Sequence, residues 1–177
     1  MNSPFYFNEY LQEKCENPPQ NVVSDIAIGI TFANNDLANI LDGKFKTALK
    51  PGKYNIQSIN PIERAYSNDE GGLMAAIQTG FSITKHIGTF TSAAADAAYQ
   101  DCRKLAVAYI AKFIKDSRDG VGPFDYSLNN LTDGEFDIER QDFSGDGYYS
   151  GVMVMFKYKL VFIECIDEMV ENSGWTN

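Results

Sequence analysis

Thr79-Gly-Phe-Ser-Ile-Thr-Lys-His-Ile87, followed beyond Gly88 by Ala94, Ala98, Cys102, Leu105, Tyr109 and Phe113 at steps of three to four residues, is the stretch that decides the fold. In the first part Phe81, Ile83, Lys85 and Ile87 alternate with Ser82, Thr84 and His86, the period of two of a half-buried strand. The second part has the period of an amphipathic helix, with Asp96, Arg103, Lys104, Lys112 and Lys115 falling mostly off the apolar stripe. The helix runs for about seven turns and stops at Asp119-Gly-Val-Gly-Pro123. No other segment is long enough to cover one face of a sheet.

Upstream, Ser3 and Pro4 cap an opening helix from Phe5 to Cys15, with Phe5, Tyr6, Phe7, Tyr10 and Leu11 apolar and Pro18-Pro19 ending it. That aromatic stripe packs across the sheet or docks on a neighbouring subunit. Asp25 to Phe32 reads as a strand with Ile26, Ile28 and Ile30 on one face. Asn34, Asn35 and Asp36 then offer caps for a short helix from Leu37 to Leu41, closed by Gly43. Residues 44–72 carry weak patterning and are expected to form a flexible loop region, within which Tyr54 to Ile59 can make a strand and Pro61 belongs at an edge or a bend.

Downstream, Glu135 to Arg140 alternates, with Phe136 and Ile138 inward. Tyr148 to Phe162 places Val152, Val154, Phe156, Tyr158, Leu160 and Phe162 on one face and Met153, Met155, Lys157 and Lys159 on the other. A strand of that length projects beyond a compact domain. With the acidic tail at 163–177, which carries the only Trp at Trp175, it makes an assembly arm. The expected architecture is a single α+β domain over residues 1–177: a mainly antiparallel sheet covered on one face by one long helix, with a short N-terminal helix and an extended C-terminal arm.

The chain has 177 residues, 44% hydrophobic and 13% aromatic, enough for one packed core and too apolar for a disordered chain. Its net charge of −9 is uneven. Residues 1–117 hold 11 Lys/Arg against 12 Asp/Glu, and residues 118–177 hold 4 against 12. An acidic surface repels phosphate, which argues against sequence-independent nucleic-acid binding. Lys44, Lys46, Lys50 and Lys53 form a basic run without an acid among them. Either this is a solvated loop, or it meets the acidic third of a neighbouring copy in a head-to-tail contact that closes a ring. Trp175 docks on its own domain, or on a partner or a neighbouring copy. Cys15, Cys102 and Cys165 are odd in number, far apart and without CxxC spacing, and read as reduced thiols of a cytosolic product. The N-terminus lacks a basic region followed by a long apolar core, so no signal peptide is expected, and the apolar run from Val152 to Ile166 is too broken by Lys157, Lys159 and Glu164 to cross a membrane as a helix.

Catalytic patterns are weak. Asp142-Phe-Ser-Gly-Asp-Gly147 matches the first half of a calcium-binding EF-hand loop, but Met153 stands where the bidentate Glu is needed, and a Gly/Asp hairpin explains the same residues. Gly145 to Gly151 is one residue too long for a dinucleotide fingerprint and precedes a strand instead of a helix. His86 is the only histidine, which excludes two-His metal motifs. Asp137 and Glu139 would share one strand face, as glycosidase acids can, yet a solvated face explains them equally. No catalytic residue, metal or cofactor is assigned.

The strand and helix from Gly80 to Ser117, with Ala-Ala-Asp-Ala-Ala-Tyr-Gln-Asp-Cys, and the later Phe143-Ser-Gly-Asp-Gly-Tyr-Tyr-Ser-Gly-Val-Met-Val-Met-Phe156 together resemble minor tail proteins of phages and prophages. The likeness is to tail-terminator or tail-completion proteins, including those of phages of Bacteroides-like hosts, and it covers about half the chain, from Leu73 to Phe162. It implies a non-enzymatic virion protein, assembled in the host cytoplasm, that forms a ring with copies of itself between the head connector and the tail tube. The basic run and the tail lie outside the likeness; residue chemistry alone, not the resemblance, suggests Lys44, Lys46, Lys50, Lys53 and Trp175 at subunit contacts of such a ring, and Asp137, Glu139, Asp142 and Asp146 facing a lumen through which DNA would pass without sticking. A different class, a small binding module for a protein or peptide, predicts a monomer with an apolar pocket.

Overall fold

The computed structural model describes residues 6–26, 29–35, 50–67, 72–123, 131–145 and 147–165. Two helices, α1 (Tyr6–Glu16) and α2 (Ser92–Asp119), accompany five strands, β1 (Ile30–Asn35), β2 (Tyr54–Ser67), β3 (Gly72–Gly88), β4 (Leu131–Gly145) and β5 (Gly147–Cys165). They form one sheet in the order β1-β2-β3-β5-β4. β1 runs parallel to β2, and the other three pairings are antiparallel. The fold is therefore α+β, with a mixed, mainly antiparallel sheet and the long helix packed on one face. β2–β3 and β4–β5 are successive antiparallel pairs, and β5 lies against β3 with β4 outermost.

Helix α2 begins where Thr91, in extended backbone, accepts a hydrogen bond on Oγ1 from the Ala94 N–H at 3.1 Å. It ends at Gly120, whose φ of 68° is the left-handed conformation that glycine adopts without strain. Its buried stripe is Ala95, Ala98, Cys102, Leu105, Ala106, Tyr109, Phe113 and Asp116. Ala95, not Ala94 as expected, opens the stripe, because it lies two full turns before Cys102 and its carbonyl accepts from the buried Ser150 hydroxyl at 2.9 Å. Phe113 sits at the hub of the core, with ring centroids 5.7 Å from Phe7, 5.5 Å from Tyr10, 5.6 Å from Phe81 and 6.1 Å from Phe156. Thus the aromatic stripe of α1 packs on this chain's own sheet and on α2. Ser3, Pro4 and Phe5, the expected cap and first residue of α1, lie outside the described residues.

The structure corrects three expectations. The first strand is Ile30–Asn35, not Asp25 to Phe32: Ile26 is buried in a turn, and Gly29 at φ 100° lets the chain swing into the sheet one step later. Asn34 and Asn35 are consequently strand residues and not helix caps, while the expected helix from Leu37 to Leu41 lies outside the described residues. Second, the expected flexible region 44–72 contains β2, a 14-residue strand held between β1 and β3. Its sequence was hard to read because a register shift between Ile59 and Ile62 breaks the alternation. Pro61 sits in that shift, past the last β1 partner at Ile59, so its missing N–H disrupts no ladder. Third, β3 and β5 are longer than expected, and residues 163–165, assigned to the tail, belong to β5.

At 19 residues β5 spans roughly 60 Å, against roughly 40 Å for α2. Its far end is not a lone arm, since it stays paired with β3 through Met74–Val161 and Gly72–Cys165. Two glycines make the β3–β5 pairing close: a Cβ on Gly80 would stand 2.1 Å from the Val154 carbonyl oxygen, and one on Gly151 2.0 Å from that of Ile83.

Candidate functional site

Of the basic run, Lys50 and Lys53 are described and exposed, whereas Lys44, Lys46 and Trp175 lie outside the described residues. Lys50-Pro-Gly-Lys53 is a turn, with Pro51 pre-set for its second position and Gly52 at φ 73° for its third. Asn55, buried to 1% exposure at the start of β2, holds it. Its Oδ1 accepts from the Lys50 N–H at 2.7 Å, and its Nδ2 donates to the Lys50 and Lys53 carbonyls at 3.3 Å each. A buried amide thus spends its hydrogen-bonding capacity on fixing a turn whose two ammonium groups make no ion pair among the described residues.

The acids divide. Asp137 and Glu139, opposite Met155 and Met153, share with Glu135 the face of β4 that points away from α2. All three are exposed and unpaired among the described residues. Asp142 lies on the helix-side face and accepts from Arg140 Nε at 2.6 Å, while Arg140 Nη1 reaches Asp96 of α2 at 2.6 Å and the guanidinium lies over the Tyr99 ring. Burial opposes ionisation of Asp142, but hydrogen bonds from Ser150 and Arg140 outweigh it and hold the carboxyl below its usual range. The four acids expected to line one lumen therefore do not share a face, and Asp146 lies outside the described residues. The ladder runs on through Asp142 and Ser144 to Gly145 opposite Gly147, so this stretch is a hairpin. Gly147, at φ 143°, makes room there for His86, whose Nε2 would otherwise stand 2.2 Å from a Cβ, and the imidazole packs edge-on to Tyr149.

Two internal networks escaped the sequence reading. Lys85 Nζ donates to Asp25 and, at 3.3 Å, to Asp101 of α2, and the Tyr54 hydroxyl donates to the same Asp25. Lys85 falls in phase with Phe81 and Ile83, and a lysine on an apolar face was the signal that it is paired. For Asp25, burial disfavours the charge, yet the bonds from Lys85 and Tyr54 prevail and lower its pKa. For Lys85, burial likewise opposes the charge and the two carboxylates raise its pKa above the ordinary lysine value. The second network joins the helices: Asp116, 1% exposed, accepts from the Tyr10 hydroxyl at 2.6 Å and from Lys112. Burial pushes the Cys15 and Cys102 thiols up to about 12, which leaves both poor nucleophiles.

Ionic pairing is thus concentrated on the helix side, while the turn at 50–53 and the outer face of β4 carry unpaired charge of opposite sign. Three shallow depressions accompany these features. One of about 410 Å³ on the face away from α2 is bordered by Tyr66, Gln78, Glu135, Asp137, Lys157 and Lys159. Another of about 430 Å³ wraps the edge of β4 at Glu139, Gln141 and Met153. A third, of about 300 Å³ beside the β4–β5 hairpin, is lined by Phe90, Phe143, Tyr148 and Tyr149, of which Phe90 is 50% and Tyr148 43% exposed. Among the described residues, no group of three or more His, Cys, Asp or Glu side chains could hold a metal ion, and no helix is long and apolar enough to cross a membrane. No protein-family model matches the chain, and no curated protein matches it.

Proposed function

We propose that the chain is a structural virion protein of a tailed phage, one subunit of a ring at the neck or tail end that joins the tail to the head connector or terminates the tail tube. The observation that carries this reading is the placement of unpaired charge of opposite sign on the two lateral sides of one sheet, the turn at 50–53 beside β1 and β2 and the acids on β4. A subunit built in that way joins head to tail, and a head-to-tail contact closes a ring when its rotation closes. The long β3–β5 ribbon supports the same reading by offering a stiff extension for contact with the next component. The resemblance of residues 73–162 to tail-terminator proteins supports a ring at the neck or the tail end, without choosing between them. The experiment is mass spectrometry and immunogold labelling of virions purified from a lysate of the strain that carries the gene. The expected result is the protein in stoichiometric amount at the head–tail junction, and its absence from the virions overturns the reading.

The depression in which Phe90 and Tyr148 are exposed, beside Phe143 and the buried Tyr149, favours a second reading, a binding module for a protein or peptide, since aromatic side chains are frequent anchors of such contacts.

A further inference from the structure

We infer that the contact between neighbouring copies is made by the turn at 50–53 of one copy seated on the outer strand β4 of the next, with Lys50 and Lys53 against Glu135, Asp137 and Glu139. This deepens the ring reading and rests on it. β4 is the last strand on its side of the sheet, and among the described residues nothing pairs with its outer edge. Glu135, Asp137 and Glu139 recur every second residue, so they stand in one row along that edge on the face away from α2. A depression of about 430 Å³ at Glu139, Arg140, Gln141, Asp142 and Met153 adds relief at one end of the row, and the guanidinium there is already paired with Asp96 and Asp142. Lys157 and Lys159 lie one strand inward and offset the charge near Glu135 and Asp137, but the rim itself keeps three exposed acids.

The turn is the matching part. It protrudes ahead of β2, with β3 and β5 between it and β4, so one copy cannot bring its own turn onto its own acidic rim without leaving the sheet. A second copy, translated sideways, can. Asn55 fixes the turn beforehand, so the contact orders only two lysine side chains, and a preformed element loses less entropy on binding. Exposed pairs of this kind are individually weak, and their attraction falls as salt shortens the screening length from about 10 Å at 0.1 M to about 3 Å at 1 M. Asp137 and Glu139 are thereby assigned to a subunit contact in place of a lumen.

The test is charge reversal followed by exchange, read by light scattering on full-length protein. Lys50→Glu with Lys53→Glu, and separately Glu135→Lys with Asp137→Lys and Glu139→Lys, should each raise the concentration needed for assembly by roughly tenfold or more. An equimolar mixture of the two variants should assemble again, because every contact in an alternating ring then joins opposite charges. One chain carrying all five reversals should also assemble, which separates loss of the contact from misfolding. Three results overturn the contact: a wild-type protein that is monomeric throughout, reversed variants that assemble as the wild type does, or a mixture and a five-fold variant that both stay monomeric. Wild-type rings indifferent to the reversals leave the ring reading standing and remove this contact. Restored assembly of a protein that is missing from virions does the opposite.

Discussion

Lys85 illustrates how one side chain can tie three elements together. It bonds Asp25 in the turn before β1 and Asp101 on α2, and it lies over the Tyr54 ring of β2, so its loss leaves Asp25 without its cation and Asp101 with only Lys104 at 4.0 Å. The pH dependence follows from the directions of the two shifts. Asp25 has a lowered folded pKa, so its contribution is complete above the ordinary carboxylate value of about 4 and is lost as pH falls through the lower folded value. Lys85 has a raised folded pKa, so its contribution is complete below about 10.4 and is lost as pH rises through the higher folded value. Lys85→Met should cost about 1 kcal/mol across the neutral range, a modest figure because Asp25 remains about a third open to solvent. In denaturant titrations its stability curve should converge on the wild type at the acid end, and an offset constant over the whole pH range would contradict the pairing. Gly151 makes a steric case at the same scale. A methyl group there meets the Ile83 carbonyl oxygen at 2.0 Å, so Gly151→Ala should destabilise by about 2 kcal/mol or more, and a melting temperature equal to wild type would show that β3 and β5 can part at no cost.

Among the elements, α2 holds the layers together through Phe113, which touches aromatic rings of α1, β3 and β5. Phe113→Ala should cost about 3–5 kcal/mol, and a loss below about 1 kcal/mol in urea unfolding would place the hub elsewhere. This helix was legible in the sequence because five apolar residues from Ala98 to Phe113 recur in phase and the glycines after Asp119 mark its end; its cap at Thr91 and the first buried residue, Ala95, were not read. β3 was legible only in its second half, where Phe81 and Ile83 alternate with polar residues. Its first half, with Ala75, Ala76 and Gly80, lacks the side-chain contrast on which periodicity depends. β2 failed for a different reason, since the register shift at Ile59–Ile62 inverts which residues face α2, and a pattern of period two cannot be followed through it. The same limit governed the acids. Even and odd residues of β4 face opposite sides, so Asp142 and Asp137 separate as soon as the strand is drawn, although proximity in sequence grouped them. The sequence could flag Lys85 as paired but could not name its partner Asp25, 60 residues away, nor that of Asp116, Tyr10, 106 residues away.

At the scale of the whole molecule, most of the ion pairs among the described residues lie on the helix side of the sheet. On the face that carries the helices Lys85, Lys112, Lys115 and Arg140 form ion pairs within the chain, although Arg103, Arg118, Glu9 and Glu16 pair with none of the described residues. Lys50 and Lys53 of the turn and the three acids on the rim of β4 have no ion pair among the described residues, which leaves them available for the head-to-tail contact proposed above. The basic run was visible in the sequence as a composition, but the contact proposed for it was not. That depended on learning that Asn55 pins the turn and that β2 and β4 stand on different sides of the sheet. The measurement that bears most directly on the ring is the mass of the purified full-length protein, by light scattering across concentration and salt, with negative-stain images of the same fractions. Closed rings at low salt that dissolve as salt rises are the expected result. A monomer at every concentration and every salt would contradict it.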